Sequence, residues 1–79
     1  MYYIYILNSL VDKDRRYVGY TYDIKERLNE HNEGKCRTTA KARPWKLVSY
    51  IYFDNQQKAL AFEKYLKSGS GRSFAKGHF

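Results

Sequence analysis

A single cysteine, Cys36, in 79 residues rules out an internal disulfide and any zinc site built on several thiolates. A reducing cytoplasm fits that usage and is the expected location. Long apolar runs are also missing, since none approaches the roughly 18 residues that a membrane span needs. The chain opens directly into Met1-Tyr2-Tyr3-Ile4-Tyr5-Ile6-Leu7 with no basic leader and cleavage site, so a soluble, unprocessed protein without a membrane partner is expected. There is no repeat, linker or low-complexity tract, and the length leaves room for one domain, 1–79, of marginal stability.

Acidic residues are scarce as well. Eight Asp and Glu stand against fifteen Lys and Arg, a net charge of +7 and a pI near 9.6. Such an excess favours polyanions through counterion release, although charge alone does not separate nucleic acid from an anionic membrane. Its distribution says more: residues 34–46 hold Lys35, Arg37, Lys41, Arg43 and Lys46 with no acidic residue between them. These five are candidate nucleic-acid contacts; the plainer alternative is a solvated charged loop.

What is plentiful is aromatic area. Nine Tyr, four Phe and one Trp supply large contacts from few positions, and 43% hydrophobic with 29% charged residues is a globular composition. The β-branched and aromatic run Tyr2 to Leu7, ended by Asn8-Ser9, reads as a strand, and Arg15 to Tyr22 reads as a second. Asp12-Lys13-Asp14 supplies turn chemistry between them, and so short a connection implies an antiparallel hairpin. Asp23 caps a helix through His31, with Glu26 completing a capping-box pattern and Gly34 as the stop. Pro44 precedes a third strand, Trp45 to Phe53; Asp54 or Asn55 then caps a second helix from Gln56 to Lys67, closed by Gly69-Ser70-Gly71. The expected fold is α+β: a three-stranded antiparallel sheet flanked by helices in the order ββαβα, with a short helical turn or a frayed tail after Gly71.

Strand alternation puts Tyr5 on one face of the first strand, and Tyr17 and Gly19 on one face of the second. Whether the two faces coincide depends on hairpin register. If they do, the tyrosines are near neighbours, and Gly19 lets a ligand or backbone approach. Taken alone, two tyrosines in a Tyr-rich sheet read first as core or surface packing. On the first helix Ile24 and Leu28 mark the apolar stripe, with His31 inside it and Arg27 at its border. The bland reading of His31 is a satisfied structural histidine. The second helix buries Ala59, Phe62 and Leu66 and leaves Glu63 about 70° from the centre of that stripe. A carboxylate there needs a cation, whether Arg, Lys or a metal.

Taken together, Tyr3-Ile4-Tyr5, eleven residues, Tyr17-Val18-Gly19, then Arg27 and His31 on one helix and Glu63 on the next resemble the GIY-YIG nuclease superfamily. The resemblance spans about 2–74, and three segments look like the small stand-alone bacterial members related to the excinuclease C catalytic domain: Tyr17-Val18-Gly19-Tyr20-Thr21, Arg43-Pro44-Trp45-Lys46-Leu47-Val48 and Phe62-Glu63-Lys64-Tyr65-Leu66-Lys67-Ser68-Gly69. The resemblance implies a metal-dependent DNA endonuclease, structure-specific and connected with repair or recombination. It implies that Glu63 ligates one Mg²⁺ or Mn²⁺, that Tyr5 and Tyr17 position or deprotonate the attacking water, that Arg27 stabilises the phosphate and that His31 supports it. Tyr3 replaces the first Gly of the family name, Tyr20 stands where excinuclease C has Lys, and the Asn that many members carry after the Glu has no clear match.

A binding module without catalysis is the alternative. Arg16-Tyr17-Val18-Gly19-Tyr20 hints at the aromatic strand of RNA-recognition domains, but those need four strands in βαββαβ order. DNA is therefore the expected partner ahead of RNA. A third reading is an oligomerisation domain, in which a homodimer offsets the lack of a second binding domain.

Overall fold

The computed structural model describes residues 1–69, 71 and 77. Its elements are β1 (Tyr2–Ser9), β2 (Arg16–Thr21), α1 (Ile24–Asn32), β3 (Trp45–Phe53) and α2 (Gln56–Lys67), with a single 3-10 turn at Ala40–Ala42 between α1 and β3. The sheet is antiparallel in the order β2-β1-β3. This is the expected α+β arrangement. The helical turn anticipated after Gly71 lies outside the described residues.

β1 runs two residues further than its apolar run because Ser9 still pairs with Trp45 and buries its hydroxyl, which donates to Ala42 O at 2.5 Å. α1 starts as its cap predicts: the Asp23 carboxylate accepts from Glu26 N–H at 3.1 Å. The reciprocal half of the expected capping box is filled by Thr21, whose Oγ1 accepts from Asp23 N–H at 3.1 Å. Gly34, at φ +79°, ends the turn in the left-handed region that favours glycine. α2 is capped by Asn55, which accepts from Lys58 N–H at 3.0 Å.

Because β1 is central, both of its faces are covered and Ile4 to Leu7 are buried without a break. Ile4 and Ile6 pack with Ala59 and Leu66 of α2, whereas Tyr5 and Leu7 pack with Ala42, Trp45 and Leu28 on the opposite face. The β3 register slips between Ile6 and Leu7, where Ile6 pairs with Ser49 and Leu7 with Leu47. That one-residue bulge changes the parity of β3. Tyr50 and Tyr52 before it and Leu47 and Trp45 beyond it therefore all reach the Tyr5 face.

Ile4 lies at the centre of the α2-side core, so Ile4→Ala should lower stability by about 2–5 kcal/mol. Urea unfolding checks this: the midpoint should fall with an unchanged m-value, and a loss under about 1 kcal/mol would show that the core lies elsewhere.

Candidate functional site

Register settles the question left open by the hairpin. Tyr5 faces Gly19 and Leu7 faces Tyr17, so both tyrosines share the α1 face, with ring centroids 6.2 Å apart. What approaches Gly19 is the Tyr5 ring itself. A Cβ there would fall on the Tyr5 hydroxyl and ring carbons, so a side chain at this position would displace the phenol.

A line of hydrogen bonds starts at that phenol. Arg27 Nε donates to Tyr5 OH at 3.3 Å, Tyr5 OH lies 2.8 Å from His31 Nε2, and His31 Nδ1 lies 2.7 Å from Thr39 Oγ1. Thr39 Oγ1 in turn donates to Cys36 O at 3.4 Å. Because the Thr39 hydroxyl gives its hydrogen to the Cys36 carbonyl, it accepts from His31 Nδ1–H. With the imidazole neutral, Nε2 carries a lone pair and Tyr5 donates to it. Burial and then the Arg27 charge hold the His31 pKa below the ordinary value of 6.5, which agrees with that assignment. Burial likewise pushes the Tyr5 phenol up to about 12, with the Arg27 hydrogen bond opposing. Arg27 is fixed further by Glu30, at 2.8 Å, and the Glu30 and Tyr5 bonds hold its guanidinium more firmly protonated.

Tyr17 sits at the rim of this assembly, edge-on to His31 at 4.9 Å and to Trp45 at 6.5 Å. β2 is an edge strand, so the way around it to α2 is open. Lys67 uses it: its Nζ stands 5.9 Å from the Tyr17 ring centroid and 3.1 Å from Glu63 Oε2. Four of the sequence-predicted site residues thus meet directly, and Glu63 joins them through Lys67.

The basic segment divides into two kinds of residue. Its small and aromatic members are anchors: Thr39, Ala42 and Trp45 are buried, Trp45 Nε1 donates to Thr39 O at 2.9 Å, and Asn32 of α1 accepts from Trp45 N–H at 2.6 Å. Lys35, Arg37, Lys41, Arg43 and Lys46 are exposed. Lys46 belongs to β3 rather than to the loop, Lys35 lies 3.9 Å from Glu33, and the Arg43 guanidinium packs against Gly34 at the end of α1.

A family model described as the GIY-YIG catalytic domain matches residues 1–76. The chain belongs to that family. It is also similar to UPF0213 proteins of Streptococcus pyogenes serotypes M3 and M1, each 40% identical over 72 residues that cover 90% of this chain and 76% of the relative. The serotype M5 protein is 39% identical over the same share. A GIY-YIG domain is a nuclease domain, so nucleic acid is its class of substrate, and such nucleases are generally dependent on a divalent metal. Among the described residues no three His, Cys, Asp or Glu side chains gather as a metal cage. A lone hard carboxylate, such as that of Glu63, fits an ion that keeps most of its water and takes a substrate phosphate, as Mg²⁺ and Mn²⁺ do. No described helix is long and apolar enough to cross a membrane.

Thr39 and Lys67 are the site residues that pattern reading passes over. Thr39 carries no signal, being one hydroxyl in a polar loop. Lys67 does, because it lies four residues beyond Glu63 on one helix face.

His31 fixes a pH dependence. Its folded pKa is depressed, so below about 6.5 the unfolded chain binds a proton that the fold excludes, and stability falls as pH drops through that range. The urea midpoint should rise from pH 5 to 7 and flatten above, and His31→Gln should remove most of that rise. An unchanged slope in the variant would show that another group titrates.

Proposed function

We propose that this GIY-YIG domain hydrolyses phosphodiester bonds in DNA as a metal-dependent, structure-specific endonuclease. The observation that carries the reading is the line Arg27–Tyr5–His31–Thr39, which ties a guanidinium to Tyr5, whose ring lies 6.2 Å from Tyr17, the residue that Lys67 connects to Glu63. Arg27 is the phosphate ligand, its planar fork being suited to the oxygens that gain charge during in-line displacement. Tyr5 is committed to Arg27 and His31 and keeps its proton at neutral pH, so it positions rather than deprotonates. Tyr17, half-buried at the rim with an ammonium above its ring, is placed to receive the attacking water. Glu63 would hold one Mg²⁺ or Mn²⁺, which when bound supplies Lewis-acid stabilisation of phosphate charge. The exposed Lys35, Arg37, Lys41 and Lys46 add affinity for the flanking backbone, a contribution that weakens with salt.

Cleavage of labelled branched, nicked and single-stranded DNA in Mg²⁺ or Mn²⁺ tests the assignment. Arg27→Ala, Glu63→Gln and Tyr17→Phe should each lower the rate by about 10²-fold or more. Tyr5→Phe should also slow the reaction, through loss of the Arg27 contact. Rates that survive both Arg27→Ala and Glu63→Gln would mark the activity as a contaminant's, and salt-sensitive binding with no product would leave only a binding module.

A further inference from the structure

Glu63 has a partner already. Its carboxylate, with 20% of the side chain exposed, is bound by the Lys67 ammonium at 3.1 Å across one turn of α2. Lys67 is 49% exposed, and its Nζ stands 5.9 Å from the Tyr17 ring centroid, so the ammonium lies between the carboxylate and the rim of the site. A half-exposed i,i+4 pair is weak and its lysine end is mobile. Two cations on one carboxylate repel, so an ion arriving at Glu63 must displace this ammonium or share the carboxylate with it at a cost. A phosphate near Tyr17 is the opposite case, because it attracts the ammonium away from Glu63 along the path that the tyrosine ring already lines. Lys64 borders the same groove as Leu60, Glu63, Lys67 and Ser68 and serves as a charge-matched control.

We propose that Lys67 is a positioning residue that occupies the Glu63 carboxylate in the free protein and surrenders it when a nucleic-acid phosphate binds, so that divalent-ion binding and nucleic-acid binding are positively coupled. The proposal rests on Glu63 being the metal ligand. It goes beyond that assignment in predicting weak ion binding by the free protein and an energetic link between the two ligands. Linkage makes the coupling reciprocal: whatever factor DNA adds to the ion's affinity, the ion adds to the affinity for DNA.

Loss of the free-Mn²⁺ electron paramagnetic resonance signal measures ion binding directly, on the full chain, with and without a short DNA duplex. Glu63→Gln with the same duplex supplies the background from DNA-bound Mn²⁺. The wild-type affinity for Mn²⁺ should rise severalfold with DNA. Lys67→Met should bind Mn²⁺ roughly fivefold more tightly than wild type without DNA, the size of effect one neighbouring charge has at a half-exposed site, and should lose most of the gain from DNA. Lys67→Arg should keep the coupling, and Lys64→Met should change neither quantity by as much. Circular dichroism confirms that each variant is folded. Glu63-dependent Mn²⁺ binding that is unchanged or weaker in Lys67→Met overturns the coupling while leaving the metal assignment standing. Mn²⁺ binding that is the same in Glu63→Gln as in wild type overturns both.

Discussion

The hydrogen bond between Tyr5 and His31 is the contact around which the rest is arranged. It joins the central strand to α1 in a place where water does not reach, His31 being fully buried. A buried imidazole or phenol without a partner costs about 1–3 kcal/mol, so each group confines the other. The constraint spreads outward from there. Tyr5 can lie flat across β2 only because residue 19 has no side chain, and His31 can present Nε2 to it only because Thr39 takes Nδ1–H. Thr39 is in turn held through its carbonyl by the Trp45 indole. A loop rich in lysine and arginine is thereby fixed at its uncharged positions while its charges remain in solvent.

The sheet makes that contact possible by a change of parity. Perfect alternation along β3 would put Trp45, Leu47, Ser49 and Ile51 on one side, and could not serve both cores. The extra residue opposite Ile6 and Leu7 sends Val48 and Ile51 towards α2, and Trp45 and Leu47 towards α1. The two helices accordingly cover opposite faces, and they communicate around the β2 edge. An edge strand is usually exposed to unwanted pairing. Here the edge is where Lys67, from the helix behind the sheet, meets Tyr17, from the face in front.

Much of this was legible in the residues. The bounds of β3 and α2 follow from Pro44, the aromatic and β-branched run after it, and the Asn55 cap, and all three signals act locally. His31 and Glu63 stood out because a 3.6-residue period placed polar groups inside or beside an apolar stripe. Hairpin register was not legible, since the turn between β1 and β2 is too long for its residues to specify one geometry, and the face shared by Tyr5 and Tyr17 depended on it. The bulge was equally silent, because nothing in Lys46-Leu47-Val48-Ser49 marks the extra residue. Thr39 had no signal at all: its role comes from a loop folding back on α1, a long-range contact that no local pattern encodes. Thr21 took the capping position expected of Glu26 because its hydroxyl, two residues before Asp23, was already within reach of the free N–H.

The site divides its electrostatics in a way that follows from burial. Inside, every group is neutral and directional: a protonated phenol, a neutral imidazole, a hydroxyl and a carbonyl, linked so that each donor has one acceptor. Charge appears only at the rim, on Arg27, Glu30, Glu63 and Lys67, where solvent and ligand can both reach it. A full charge placed at the position of His31 would face a desolvation cost of several kcal/mol with Arg27 as its neighbour, which is why burial and that guanidinium act in the same direction on the imidazole. The neutral line can therefore hold Arg27 without competing for its charge. Glu30, partly exposed and 2.8 Å away, offsets some of that charge and stays within reach of solvent. A guanidinium anchored by a phenol on one side and by a solvated carboxylate on the other stays charged and partly exposed without drawing on the hydrogen bonds of the core.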